Sequence, residues 1–187
     1  ILANSTYPYE FLMDNMLIQN NLIRAAHILE IQKFIFLGSS CIYPKMAPQP
    51  LKEEYLLKGP LEETNQWYAL AKISGVKLIE ALRNQYNRDY VSLMPTNLYG
   101  PGDNYDLETS HVLPAMIRKF HEAKLNNHAD VILWGTGTPK REFLYVDDLA
   151  RAVLFSLENK LEKSIYNVGY GSEISIKELA EMVKIIT

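Results

Sequence analysis

Tyr68 and Lys72 stand four residues apart in Tyr68-Ala69-Leu70-Ala71-Lys72, so a helix there sets a phenol and an ammonium one turn apart on one face. A neighbouring cation favours the phenolate, and the spacing therefore predicts a tyrosine that gives up its proton more readily than usual, suited to proton transfer. Solvated helix faces also carry such pairs by chance. The stretch Phe34-Ile35-Phe36-Leu37-Gly38-Ser39-Ser40-Cys41-Ile42-Tyr43-Pro44 is an apolar run that stops at small polar and nucleophilic residues. It reads as a buried strand delivering a site at its carboxyl end. Cys41 is the one cysteine of the chain. Its thiol is a competent base only where positive charge or a helix amino terminus lowers its pKa; otherwise a cysteine after a buried strand is a packed core residue. His111, in Thr109-Ser110-His111-Val112, falls at a helix start, where it is either an acid-base group or a plain cap, and the helix dipole opposes its protonation. His27, His121 and His128 read as helix-surface or loop residues without metal-ligand spacing to Cys41.

These groups need elements to hold them. Pro8 suits a first helical position, and Phe11, Leu12, Met16, Leu17, Leu22, Ile23, Ala26 and Leu29 recur at near-helical spacing, predicting a helix over 8–30 that feeds a strand over 33–39. Residues 44–65 read as an irregular acidic loop, and 66–86 as the helix carrying Tyr68 and Lys72. A strand over 90–94 is broken by Pro95, and 96–102 reads as a loop. Next come a helix over 111–125, a short strand over 131–134, a turn over 135–139 and a strand over 141–146. Asp147 or Asp148 caps a helix reaching Asn159. A last strand covers 165–168, and Ser175 with Glu178 forms a capping box opening the terminal helix. Helices alternating with short apolar strands predict an α/β fold with a mostly parallel sheet.

Bulk properties narrow the function classes. At 187 residues and 48% hydrophobic content, the chain is long and apolar enough to bury a core. Its net charge of −3, without long runs of either sign, gives no footprint for nucleic acid or an anionic membrane. No apolar segment reaches the ~18 residues of a membrane span, and no signal pattern opens the chain. A single cysteine excludes an internal disulfide framework and fits a reducing cytoplasm. The chain starts at Ile1 rather than methionine, and we expect it to be a central piece of a longer protein.

Ser39, Tyr68 and Lys72 together resemble the catalytic triad of the extended short-chain dehydrogenase/reductase family. Arg141-Glu142-Phe143-Leu144-Tyr145-Val146-Asp147-Asp148 is similar to that family's Arg-x-Phe-x-x-Val-x-Asp segment, and Tyr166-Asn167-Val168-Gly169 with Ile176-Lys177-Glu178-Leu179 to its closing strand and helix. Within the family, 38–44, 95–101, Ser110-His111-Val112 and Trp134-Gly135-Thr136-Gly137-Thr138-Pro139 most resemble the branch that converts GDP-4-keto-6-deoxy-D-mannose to GDP-L-fucose by 3,5-epimerisation and 4-keto reduction. The likeness runs along nearly the whole chain and includes Asn4-Ser5-Thr6-Tyr7-Pro8 before the first helix. One departure is large. The family's Gly-x-x-Gly-x-x-Gly turn, which holds the pyrophosphate of the cofactor, is absent from this sequence.

The resemblance implies a Rossmann-like, doubly wound, mostly parallel sheet, partial because it lacks the amino-terminal pyrophosphate-binding half. Residues 1–100 would form the carboxyl half of the NADP-binding domain, and 101–187 part of a smaller substrate-binding region with segments returning to the sheet. It implies NADPH as cofactor, contacted by Leu37, Gly38, Ser39, Ser40, Tyr68, Lys72, Pro95, Thr96, Asn97, Leu98 and His111. Tyr68 would deliver a proton to the ketone oxygen while Ser39 hydrogen-bonds it, and Lys72 would hold the nicotinamide ribose and keep the phenol acidic. Cys41 and His111 resemble the base and acid of the epimerisations, in either order. Lys119, Trp134 and Arg141 match positions that bind the nucleotide-sugar, a cation suiting diphosphate and an indole offering a flat face; core packing for Trp134 and a solvated helix position for Lys119 are the plainer alternatives. The helices at 8–30 and 66–86 would pair two copies into a homodimer. Two other outcomes stay open: a nucleotide-sugar 4-epimerase or dehydratase of the same family, and a non-catalytic assembly fragment.

Overall fold

The computed structural model describes residues 2–187. Along the chain run α1 (Leu2–Thr6), α2 (Pro8–Ile28), β1 (Lys33–Leu37), α3 (Gln66–Tyr86), β2 (Asp89–Pro95), β3 (Asn97–Tyr99), α4 (Val112–Leu125), β4 (Lys140–Arg141), β5 (Phe143–Tyr145), α5 (Val146–Glu158), β6 (Ile165–Val168), β7 (Ile174–Ser175) and α6 (Ile176–Ile186). Two compact units result. One holds the chain up to Thr96 together with Asp148–Val168; the other holds Asn97–Asp147 and Gly169–Thr187.

The first unit is built on a parallel sheet in the order β1-β2-β6. Tyr90 to Pro95 of the central β2 are all buried, as a strand with neighbours on both edges and packing on its faces requires. Helices α2 and α3 pair beside it. Their seam is polar at one point: the buried Gln19 donates to Ala71 O at 2.6 Å and to Ser74 Oγ at 2.8 Å. One turn on, Gly75 lets the Phe36 ring from β1 come close, since a Cβ there would overlap it. Around this seam Ile23, Ala26, Phe36, Ile73, Val76, Ile79, Tyr90 and Met94 form the core. Pro8 occupies the first turn of α2, and α3 stops at Asn87 in the left-handed region (φ 53°), a conformation that asparagine tolerates. At the amino end of the sheet Asp89 meets Lys33 at 3.0 Å and Arg83 at 3.6 Å. Its carboxyl end is therefore left to Gly38 and Thr96.

The long segment between β1 and α3 is less irregular than its sequence suggests, with single 3₁₀ turns at Ser40–Ile42, Glu53–Tyr55 and Glu63–Asn65. It is tied to β6. Asn167 accepts from the Tyr43 hydroxyl, donates its backbone N–H to Glu53 Oε1 at 2.9 Å and donates its side-chain amide to Leu51 O at 3.0 Å.

In the second unit, β3 pairs with β5 in parallel and β4 with β7 antiparallel. Met116 of α4 packs with Leu179, Ala180 and Val183 of α6. The predicted capping box is present: Ser175 Oγ accepts from Glu178 N at 3.1 Å, and the Glu178 carboxylate accepts from Ser175 N at 2.9 Å.

Several boundaries differ from the sequence expectation. Pro95 closes β2 instead of breaking it. Ser92 and Thr96 donate toward β6, so residue 95 faces the β1 side beyond the end of β1, where no ladder donor is needed. The expected loop at 96–102 contains β3, a strand supplied with a partner by β5. Residues 131–134 alternate as a strand would, with Leu133 on the core and Ile132 and Trp134 outward, yet have no ladder partner among the described residues. The expected strand over 141–146 is two strands separated at Glu142, because β4 and β5 pair with different partners. Helix α5 starts at Val146, so Asp147 and Asp148 lie in its first turn, where carboxylates suit the helix dipole, rather than capping it.

Candidate active site

Four of the expected catalytic groups come from two elements of the first unit. At the end of β1 the backbone of Gly38 donates to Leu93 O at 2.8 Å, and the space a Cβ would need is filled by the Met94 side chain. Only a residue without a side chain lets the chain turn there against β2. Ser39 is extended, and its Oγ accepts from Cys41 N at 3.4 Å, opening the 3₁₀ turn that carries Cys41. From α3, the Lys72 ammonium donates to Leu37 O at 2.9 Å and sits 5.1 Å from the centroid of the Phe36 ring and 5.5 Å from that of Tyr68. The carbonyl and the two rings fix the long side chain over the strand end.

These groups feel one another electrostatically. Burial pushes the Cys41 thiol up, opposed by hydrogen bonding from Ser39 and Asn65 and by the charge of Lys72. Burial, with the charge of Cys41 second, also raises the Tyr68 phenol. Lys72 is pushed down by burial and back up by Cys41. The spacing predicted a more acidic phenol, and this is corrected: the loss of hydration outweighs the cation one turn away, whose hydrogen bond goes to the Leu37 carbonyl. Tyr68 therefore holds its proton more firmly than a free phenol. Cys41 is half-buried rather than sealed in the core.

Asn65 was not singled out by sequence, where an asparagine before a helix reads as a cap. Its side chain accepts from Asn4 Nδ2, and its amide counts among the groups that oppose the burial-driven rise of the Cys41 thiol.

The remaining cofactor candidates follow β2. Pro95 is its last residue, and Thr96 Oγ1 is buried without a partner among the described residues. Asn97 and Leu98 lie in β3 of the second unit, where Asn97 donates to Glu142 O from its backbone at 3.2 Å and from its side chain at 2.9 Å. In that unit His111 holds the N-cap position of α4, its carbonyl accepting from Ala115 N at 3.1 Å and its side chain making no cap bond. Ser110 Oγ beside it is buried and has no hydrogen-bond partner among the described residues. Lys119 lies 4.8 Å from the centroid of Trp134 and bonds Ile132 O at 3.5 Å. Trp134 is 80% exposed, not core. Arg141 is exposed and donates to its neighbour Lys140 O at 2.7 Å. Trp134 also edges a cleft of about 670 Å³, lined by Phe120, Lys124, His128, Lys177 and Lys184 among others.

The first unit fits one end of a dinucleotide. Small residues at the carboxyl ends of two parallel strands, an orphaned threonine hydroxyl and a lysine with protons to spare match a nicotinamide and its ribose diol. Its pyrophosphate finds no glycine-rich strand-to-helix turn: β1 leads into a three-residue 3₁₀ turn. Among the described residues no group of three His, Cys, Asp or Glu side chains could hold a metal ion, and no helix is long and apolar enough to cross a membrane.

Comparison with known proteins agrees with the geometry. Residues 1–169 match the NAD dependent epimerase/dehydratase family. The chain is 58% identical over 185 residues to a probable GDP-L-fucose synthase of Oryza sativa subsp. japonica, an alignment covering 98% of this chain and 56% of that protein. It is 52% identical over 192 residues to the GDP-L-fucose synthase of Escherichia coli K12, covering 98% and 60%. Among solved structures it superimposes on MlghC, a GDP-mannoheptose C4 reductase from Campylobacter jejuni with NADP bound, at a TM-score of 0.91 and 36% identity over 98% of this chain and 65% of that one. The chain thus spans little more than half the length of the curated relatives it matches.

Proposed function

The chain belongs to the NAD dependent epimerase/dehydratase family, and from that premise we propose that the protein it comes from is an NADPH-dependent epimerase-reductase that turns GDP-4-keto-6-deoxy-D-mannose into GDP-L-fucose. The observation that carries the reading is the cluster at the end of β1. Ser39, Cys41, Tyr68 and Lys72 are gathered there, with Lys72 fixed on the Leu37 carbonyl. A nicotinamide bound there would supply the hydride for the 4-keto carbon.

The residues divide the remaining work. The 4-keto group acidifies the carbons on either side, and Cys41 removes their protons; His111, on its resemblance, is proposed as the acid that returns them. In the reduction Tyr68, held protonated by burial, gives its proton to the ketone oxygen while the Ser39 hydroxyl hydrogen-bonds it. Lys72 binds the ribose diol and stabilises charge on Cys41. Thr96 offers its unpartnered hydroxyl to the nicotinamide end. Lys119, Trp134 and Arg141 are proposed to bind the GDP moiety, for which the exposed indole beside an ammonium is suited. The pairing of two copies through α2 and α3 is proposed from the row of exposed apolar residues on α2, among them Tyr9, Met13, Leu17, Ile18 and Leu22. A cytoplasmic location fits an enzyme that works through a free thiol.

The test uses the full-length protein. Tyr68→Phe is expected to stop NADPH consumption while solvent deuterium still enters the sugar next to the ketone. Full reductase activity in that variant would sink the assignment.

A further inference from the structure

The bonds that close the turn of Cys41 are long. Ser39 Oγ accepts from Cys41 N at 3.4 Å, Ser39 O from Ile42 N at 3.3 Å and Ser40 O from Tyr43 N at 3.4 Å, where a well-made N–H···O bond measures about 2.9–3.0 Å. A single turn so loosely closed is placed by what lies at its two ends. Before it, Gly38 N is fixed on Leu93 O of β2 at 2.8 Å. After it, the buried Tyr43 gives its hydroxyl proton to the Asn167 amide oxygen on β6. Burial first, and the charge of Glu53 second, keep that phenol protonated and hence a donor. The acceptor is itself immobile: Asn167 Nδ2 is committed to Leu51 O at 3.0 Å, its backbone N–H to Glu53 Oε1 at 2.9 Å, and the residue is in register with Met94 of β2. Ile42 packs in the core and holds only the apolar side of the turn. The next backbone tie, Lys45 N on Pro60 O at 2.9 Å, joins the segment to itself and so moves with it. Cys41 is thus strung between two strands of one sheet.

We propose that Tyr43, aimed by Asn167, is a positioning residue for Cys41, its hydroxyl fixing the far end of the turn so that the sulfur is held half-buried at the end of β1. Its importance for catalysis rests on Cys41 being the base of the epimerisation, whereas the placement of the thiol is measurable without substrate or cofactor. Without the hydroxyl, the turn keeps the packing of Ile42 but loses its orientation. The thiol then gains access to water and reagent, and the base drifts from the carbon it serves, where small displacements are costly in rate. Tyr68 and Lys72 come from α3 and do not depend on this bond.

In the full-length protein, Tyr43→Phe removes one oxygen and leaves the ring. Alkylation of Cys41 by iodoacetamide at fixed pH, followed by mass spectrometry of its peptide, is expected to quicken by roughly 2- to 10-fold, the equivalent of one hydrogen bond. Asn167→Ala, which takes away the acceptor, quickens it at least as much. The double variant adds nothing beyond Asn167→Ala, because the two residues act through one bond. Uptake of solvent deuterium next to the ketone falls about 10-fold in Tyr43→Phe, while NADPH binds as it does to the wild type. A tyrosine that merely fills the core would instead lower the urea midpoint of unfolding and leave the alkylation rate in place. That outcome, slower alkylation, or two substitutions whose effects simply add, overturns the proposal. Should Tyr43→Phe fail to fold, Asn167→Ala decides alone. Faster alkylation with normal deuterium uptake would uphold the placement of the thiol and remove Cys41 as the base, so the two ideas fail separately.

Discussion

Gly75→Ala sets two effects of known size against each other at one atom. In a helix interior, alanine is favoured over glycine by about 1 kcal/mol, and by propensity alone the variant would be the more stable. The added methyl, however, meets the Phe36 ring inside contact distance and lies 3.0 Å from Gln19 Oε1. Phe36 is 7% exposed and has little room to withdraw. Overpacking of a filled core costs about 1–3 kcal/mol, so the expected net loss is about 1 kcal/mol, read as a lower midpoint in urea followed by Trp67 fluorescence and far-ultraviolet circular dichroism. The same ring lies under the Lys72 ammonium, so a displaced Phe36 also disturbs the placement of Lys72, a residue proposed to act in the reduction. The control is Phe36→Leu, which trades the ring for a smaller side chain. In that background Gly75→Ala should become neutral or stabilising by up to ~1 kcal/mol, because propensity then acts unopposed. A Gly75→Ala variant more stable than the parent, or one with the same effect in both backgrounds, refutes the close approach of β1 to α3.

Raised by burial, Cys41 holds its proton above the ordinary thiol range in the folded state. Proton exchange next to the ketone should therefore climb with pH past that range, and Lys72→Met, which removes an opposing charge, should shift the rise to still higher pH. The sign for stability is the reverse: a folded pKa above the unfolded one stabilises below the unfolded value, and that contribution is lost as pH rises through the folded value. Urea midpoints of wild type should thus fall across this alkaline window relative to Cys41→Ala, and parallel curves would contradict the assignment. Ser175→Ala removes one half of the capping box on α6 and should cost about 1 kcal/mol in the same unfolding assay, with an unchanged midpoint as the contrary result.

Much of this was legible in the sequence because it depends on local spacing. The limits of α2 and α3 follow from Pro8, from apolar periodicity and from a chain that can turn left-handed at Asn87. Ser175 and Glu178 specify their own cap. The placing of Tyr68 and Lys72 on one helix and of Ser39 at a strand end was readable for the same reason: an i to i+4 pair and a strand ending in small polar residues are statements about neighbours. What escaped depends on residues brought from far away. The direction of the Tyr68 shift is set by burial, which spacing does not contain. Residues 131–134 alternate correctly but lack a partner strand, whereas Asn97–Tyr99, too short to announce itself, is a strand because Phe143–Tyr145 lies alongside. Asn65 meets Asn4, 61 positions away, a contact that no local pattern announces.

The ties from Asn167 to the segment after β1 also constrain the order in which the chain acquires its structure. The bond to Tyr43 joins positions 124 apart, and the one to Glu53 joins positions 114 apart. Helices α2 and α3 can form from nearby residues within microseconds, but closing loops of this size is entropically costly and slow. The stretch that leads from Cys41 to Asn65 therefore stays unanchored on its β6 side until β6 has docked beside β2. The turn that carries Cys41 thus gains its distant anchors only with the pairing of β2 and β6.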